Sequence, residues 1–214
     1  MASSAGILAQ GLRQLDLHVG LATTLAEYIG ELERWNSHYR FVATAGSDIV
    51  IRHVLDALAG ARIIREHARR GRILDVGSGV GLPGLPLAIS IPECEVVLLE
   101  RSAKKAAFLT NMIISLRLKN ASVLNLDLRR LTERYDIVTF RAVSGLASLV
   151  DSCSAVTAIG GRIIAYKGRL RRILREIEPL QSEIRHVETI QVRVPFLEAE
   201  RHLVVVEPTL VREF

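Results

Sequence analysis

An α/β architecture, a doubly wound sheet behind a run of helices, follows from three features of this chain. From Arg72 onward, apolar runs rich in Val, Ile and Leu alternate with stretches of helical period. That alternation predicts a mostly parallel sheet with helices on both faces. The first run, Arg72 to Val76, breaks into glycines at 77, 79 and 81, which reads as a buried strand ending in a tight nucleotide-binding turn and a helix start. The last two runs, 185–194 and 202–207, are joined by Pro195 to Glu200 and read as a closing antiparallel hairpin.

The elements are placed in chain order. Apolar residues from Ile7 to Leu32 recur near the 3.6 period, so 7–35 reads as helix, with a break at Gly20 or Gly30. A second helix is expected over 48–59, with Ser47 or Asp48 as its cap and Gly60 closing it. Strands are expected at 72–76, 95–99, 121–125, 135–140 and 161–166. Helices are expected at 82–90, 102–118, 144–158 and 168–182. The chain divides into an N-terminal helical extension, 1–65, and a sheet-bearing domain, 66–214.

With 214 residues, 49% of them hydrophobic, the chain is long enough for a sizeable core. The formal net charge is +5, and all but four of its 28 Lys and Arg residues are arginine, the better fork for phosphate. Cys94 and Cys153 are too few for a disulfide scaffold or a zinc cluster and are expected to be buried. No run approaches the length of a membrane span, and Met1 to Gly20 lacks a secretory leader's pattern. The expected location is the cytoplasm, away from the membrane.

In a doubly wound sheet the ligand sits outside the carboxyl ends of the strands. The first end carries Asp75, Gly77 and Gly79. The second carries Glu100, 23 residues beyond Gly77, where a carboxylate accepts hydrogen bonds from ribose hydroxyls. The competing reading of Glu100 is a cap for the helix that follows. The third end, Asn125 to Arg129, would lie beside the adenine. Arg141 and Lys167 end the fourth and fifth runs, where cations suit a carboxylate or a phosphate, or else form surface ion pairs. Arg169, Arg172 and Arg175 share a helical face. A dinucleotide fingerprint needs a sixth-position glycine, and Leu82 stands there, which disfavours a nicotinamide oxidoreductase.

Asp75-x-Gly77-x-Gly79-x-Gly81 resembles the first motif of S-adenosylmethionine-dependent methyltransferases. Five stretches together resemble one family closely: Leu32 to Asn36; the helix Ile51-Arg-His-Val-Leu-Asp-Ala57; the loop Asp75 to Pro86; Leu99 to Leu109; and Phe140-Arg-Ala142 with Tyr166-Lys-Gly168. The family is glucose-inhibited division protein B, also called RsmG, the bacterial 16S ribosomal RNA guanine-7-methyltransferase. The resemblance implies a class I methyltransferase, a Rossmann-like doubly wound sheet ending in an antiparallel hairpin. It implies S-adenosylmethionine as cofactor, S-adenosylhomocysteine as product and no metal. It carries cofactor contacts to Gly77, Leu82, Leu128, Arg129 and Arg141, beside Gly79 and Glu100 from the loop and the second strand. Arg52, His53, Arg141 and Lys167 are expected to hold RNA. The implied substrate is 16S ribosomal RNA in the 30S subunit, and the implied state is a monomer. The family usually has Asp where this chain has Glu100, an acid where it has Arg129, and Asn-Leu-Thr where it has Arg40-Phe41-Val42-Ala43. The alternatives are a methyltransferase for a small molecule or protein, and an RNA-binding module without catalysis.

Overall fold

The computed structural model describes residues 3–141, 145–180 and 184–209. Ala142, the first residue of the helix expected at 144–158, and the last two of the helix expected at 168–182 lie outside them. The first helix, α1 (Ser4–Gln14), starts where the Ser3 hydroxyl accepts from the Gly6 amide at 3.2 Å. It ends as Asp16 turns to a positive φ. Then α2 (Leu21–Tyr39) begins directly after Gly20 and runs through Gly30 unbroken.

The next helical stretch has three consecutive parts: α3 (Ser47–Ile49), a π-helical segment (Val50–Leu55) and α4 (Asp56–Leu58). Two expectations are corrected here. Among the described residues no side chain caps this start; Gly46, at φ +59°, makes the entry instead. Gly60 does not close the helix in a left-handed turn, because its φ is −90° and it leads into a further helix, α5 (Ala61–Ala68). Gly60 serves packing: a Cβ there would collide with the Tyr166 hydroxyl.

The sheet follows the expected alternation: β1 (Arg72–Val76), α6 (Gly84–Ser90), β2 (Glu95–Leu99), α7 (Ala103–Ser115), β3 (Ala121–Leu124), β4 (Tyr135–Arg141), α8 (Leu146–Ser154), β5 (Thr157–Lys167), α9 (Leu170–Ile177), β6 (Ile184–Gln191) and β7 (His202–Pro208). The strand order is β3-β2-β1-β4-β5-β7-β6. β1 to β5 are parallel, and β7 runs antiparallel to both β5 and β6. The last strand therefore inserts inside the sheet and leaves β6 at its edge. Strand order reverses between β1 and β4, the place where such sheets open a ligand crevice.

Successive strand residues point to opposite faces. Ile73 joins a cluster with Leu12, Leu25, Leu55, Leu85 and Phe108, so the N-terminal helices share one core with that face of the sheet. Leu74 joins the other cluster, with Tyr135, Phe140, Leu146 and Ile173 under α8 and α9. Cys94 and Cys153 are both buried thiols. Among the described residues no helix is long and apolar enough to cross a membrane.

One buried polar bond joins the extension to the glycine turn. The Tyr28 hydroxyl of α2 donates to the Val80 carbonyl at 2.9 Å. Tyr28→Phe strands that buried carbonyl and is expected to cost about 1–3 kcal/mol of stability. A denaturant midpoint unchanged from wild type would refute that role.

Candidate active site

The crevice has two halves. The first is the turn after β1. Gly77 and Gly79 hold φ of +69° and +60°, a region that side chains with a Cβ avoid. Among the described residues, Gly77's own chain neighbours aside, no heavy atom lies within 4 Å of where a Gly77 Cβ would stand, so that side of the turn is open. The Gly77 and Ser78 amides both donate to the Leu99 carbonyl, at 2.8 and 3.1 Å, and bind the ends of β1 and β2 together.

Glu100 sits at that junction and is only 6% exposed. One carboxylate oxygen accepts from the Gly79 amide at 2.9 Å and the other from the Ser102 amide at 2.8 Å. Glu100 thus ties the turn to the start of α7. A carboxylate has about four lone-pair sites, so capacity remains for two hydroxyl donors. Asp75 lies fully buried beneath the turn; its Oδ2 accepts from the Gly84 amide at 3.0 Å, while Oδ1 has no hydrogen-bond partner among the described residues. Burial pushes its pKa up to about 7. Open space over glycine, a carboxylate for vicinal hydroxyls and an orphaned buried oxygen fit a nucleoside that also carries a hydrogen-bond donor.

Leu82 is buried, with its side chain in the first cluster and its amide donating to the Ser78 carbonyl. Leu128 packs against the second cluster. Arg129 folds back on Asp127, which accepts from its Nε at 2.9 Å, its Nη2 at 3.1 Å and its backbone amide at 3.0 Å. Those bonds hold the Asp127 carboxyl down at about 2.

The second half is a pocket of about 360 Å³ lined by Arg52, His53, Asp56, Arg141, Lys167 and Arg201, with Tyr166 and Gly168 completing the wall. Arg141, at the end of β4, donates through Nη1 to Asp56 Oδ2 at 3.1 Å and to the carbonyls of Arg52 and His53 at 3.3 and 3.5 Å. Both carbonyls belong to the π-helical segment, a form often found at functional sites. Arg141 Nη2 also meets His53 Nδ1 at 3.2 Å, and His53 Nε2 meets Thr44 Oγ1 at 2.7 Å. A guanidinium only donates. Nδ1 must therefore accept, which places the imidazole proton on Nε2, facing Thr44. Burial, then the charge of Arg141, lowers the His53 pKa and keeps the ring neutral.

Asp56 Oδ1 accepts from Arg201 Nε at 2.7 Å. One carboxylate, 8% exposed, thus holds arginines from β4 and from the approach to β7. Lys167 pairs with Glu176 at 2.7 Å and Arg52 with Asp48 at 3.3 Å. The fold brings Arg52, His53, Arg141 and Lys167 together in one pocket. It adds Asp56, Arg201 and Tyr166, whose hydroxyl donates to the Ala57 carbonyl at 2.7 Å. Asp56 was visible as the acid of the Arg-His-x-x-Asp helix, but its partner Arg201 is 145 residues away.

The segment after α2 is anchored as well. The Asn36 side chain donates to the Val42 carbonyl at 2.9 Å and accepts from its amide at 2.8 Å. Lys104 stands over the Tyr39 ring at 3.6 Å, beside Phe41 and Trp35.

Asp75 gives a pH test. A carboxyl whose folded pKa lies above its unfolded value costs no stability below the unfolded pKa. The cost grows from about 4 to 7 and is constant above. Asp75→Asn is therefore expected to gain stability relative to wild type as pH rises through that window. Parallel stability–pH curves for the two proteins would refute the raised pKa.

Residues 22–204 match the family model described as GidB, rRNA small subunit methyltransferase G. A protein of Nitrosococcus oceani named ribosomal RNA small subunit methyltransferase G is 37% identical over 207 residues, covering 94% of each chain. One of the same name from Stenotrophomonas maltophilia is 38% identical over 208 residues, covering 96% of this chain and 95% of its own. Among solved structures, an S-adenosylmethionine-dependent O-methyltransferase from Thermotoga maritima superposes with a TM-score of 0.61 at 14% identity, over 87% of this chain and 73% of the other. A tRNA methyltransferase of Aquifex aeolicus gives 0.59 at 14% identity, over 73% and 69%. At such identities these structures speak to fold alone, and that fold is the class I methyltransferase sheet.

Proposed function

This chain belongs to the rRNA small subunit methyltransferase G family, and from that premise we propose that it methylates ring nitrogen seven of a guanine in 16S ribosomal RNA. The observation that carries the reading is the family match over 22–204, which spans both the glycine turn and the pocket beside it. The substrate is the RNA within the small ribosomal subunit, and the enzyme acts as a cytoplasmic monomer. The helical extension, 1–65, and the methyltransferase domain, 66–214, work together.

S-adenosylmethionine, when bound, supplies an electrophilic sulfonium methyl and leaves as S-adenosylhomocysteine. The residues that would hold it are Gly77 and Gly79 through their open backbone and Glu100 through its carboxylate, with Asp75 Oδ1 offered to a donor. Leu128 and Arg129, on the turn that follows β3, are its further contacts in this reading. Ring nitrogen seven carries a free lone pair, so its attack requires alignment and exclusion of water rather than a base. The pocket suits that chemistry. His53 is neutral with both nitrogens engaged, and Asp56 is bound to two arginines. Its positive groups, Arg52, Arg141 and Lys167, suit RNA phosphate or base edges. A paired guanine hides this atom in the deep A-form groove, so a loop or splayed base is the target.

Incubation with labelled S-adenosylmethionine and undermethylated small subunits, followed by nucleoside analysis, is expected to give labelled 7-methylguanosine at one site. Label on a protein or small molecule, with none in RNA, would replace this reading with the alternative acceptor classes. Arg141→Ala is expected to abolish transfer. Because it also removes one partner of buried Asp56, a stability loss of up to about 3–5 kcal/mol accompanies it. Arg141→Lys keeps the charge without the fork, and is expected to stay folded with transfer reduced at least about tenfold. Full transfer by the lysine variant would remove the fork from the mechanism.

A further inference from the structure

The turn between β6 and β7 is pinned at both ends. The Val192 amide donates to the Arg201 carbonyl at 2.9 Å, and the Leu197 amide to the Val194 carbonyl at 3.1 Å. Val194 is buried in the first apolar cluster, and Leu197 packs against it. Between them Phe196 holds φ +65° and leaves 43% of its surface exposed. A bulky aromatic in the left-handed region is strained, because its Cβ crowds the following carbonyl. Folding alone gives little return for that strain, since the ring is not sunk in the core its neighbours share. Strain of this kind concentrates at functional sites.

The turn lies beside the pocket, because the start of β7 pairs with the end of β5. Its far limb carries Arg201, which lines the pocket and holds Asp56. Glu200, next to it, accepts from the Leu170 amide at 3.1 Å and docks the turn on the start of α9. Arg193, on the near limb, is exposed. Phe196 is five residues from Arg201, a reach of at most about 18 Å. Stacked nucleotides advance about 3.4 Å each. The ring thus stands within a few nucleotides of the acceptor pocket, on a turn that carries Glu198 and Glu200 as well as Arg193 and Arg201.

We propose that Phe196 is a stacking platform for an unpaired base of the RNA substrate, a few nucleotides from the methylated guanine. The proposal rests on the RNA reading of the preceding subsection. Base–aromatic stacking is tolerant of sequence and is a usual means of gripping single-stranded RNA. The pinned turn holds the ring ready, so little ordering is left for the moment of binding.

Two measurements test it. First, Phe196→Gly is expected to raise KM for undermethylated small subunits roughly 5- to 150-fold. Its kcat and its affinity for S-adenosylmethionine should be unchanged. Its thermal midpoint should hold or rise, because glycine accepts the positive φ. Phe196→Trp is expected to retain a near wild-type KM. An unchanged KM in the glycine variant, or a KM rise that follows a fall in thermal midpoint, overturns the proposal. Second, protein-free 16S RNA should quench the new indole emission of Phe196→Trp relative to wild type. Unchanged emission at saturating RNA overturns base stacking and turns the ring toward a protein surface. If the wild-type enzyme places no label in RNA, the RNA reading itself falls; if it does and the glycine variant matches it, only the platform falls.

Discussion

The pocket half of this molecule depends on the carboxylate of Asp56. It is almost sheathed, yet it binds one guanidinium on each oxygen. A buried charge without a partner is strongly unfavourable, and a paired one is roughly neutral for stability. The arrangement is therefore better understood as a constraint on geometry than as a source of stability. Asp56 fixes where the ends of α4, β4 and the β6–β7 turn must meet. It also fixes Arg141, which in turn sets the tautomer of His53 and, through it, the Thr44 hydroxyl.

Each half of the crevice is tied to the N-terminal helices by a tyrosine hydroxyl. Tyr28 reaches from α2 to the glycine turn, and Tyr166 reaches from β5 to the Ala57 carbonyl beside Asp56. Each phenol lies against the apolar core and uses its one polar atom to span two segments. Both bonds involve the N-terminal helices. The extension is thus part of how the crevice is shaped.

The sheet was readable because buried parallel strands are nearly continuous apolar runs; β1 and β2 fall at the expected residues, 72–76 and 95–99. The glycine turn was readable because its chemistry is local. What escaped was set by distance or competition. α5 is short and carries Arg62, Arg65, Glu66 and His67 among its apolar positions, so its period is hidden. The cap expected at Ser47 or Asp48 gave way to Gly46, whose backbone could make the turn unaided. Glu100 was posed as ribose acceptor or helix cap; the bond to Ser102 and the bond to Gly79 show one carboxylate that ties the start of α7 to the turn. Arg201 precedes a strand and carries no local signal. Its role exists only once residues 145 positions apart are folded together.

The insertion of β7 between β5 and β6 also sets an order of assembly during synthesis. The glycine turn, Glu100 and Arg141 all leave the ribosome before Arg201 does. Sixty residues separate Arg141 from Arg201, roughly 3–12 s of elongation. Until Arg201 emerges Asp56 lacks its second arginine, and β5, once it is out, has an open edge where β7 will lie. The nascent chain can thus shape a nucleotide crevice before it can shape the basic pocket beside it. The final strand closes the sheet and completes the pocket in the same step, so neither is finished without the other.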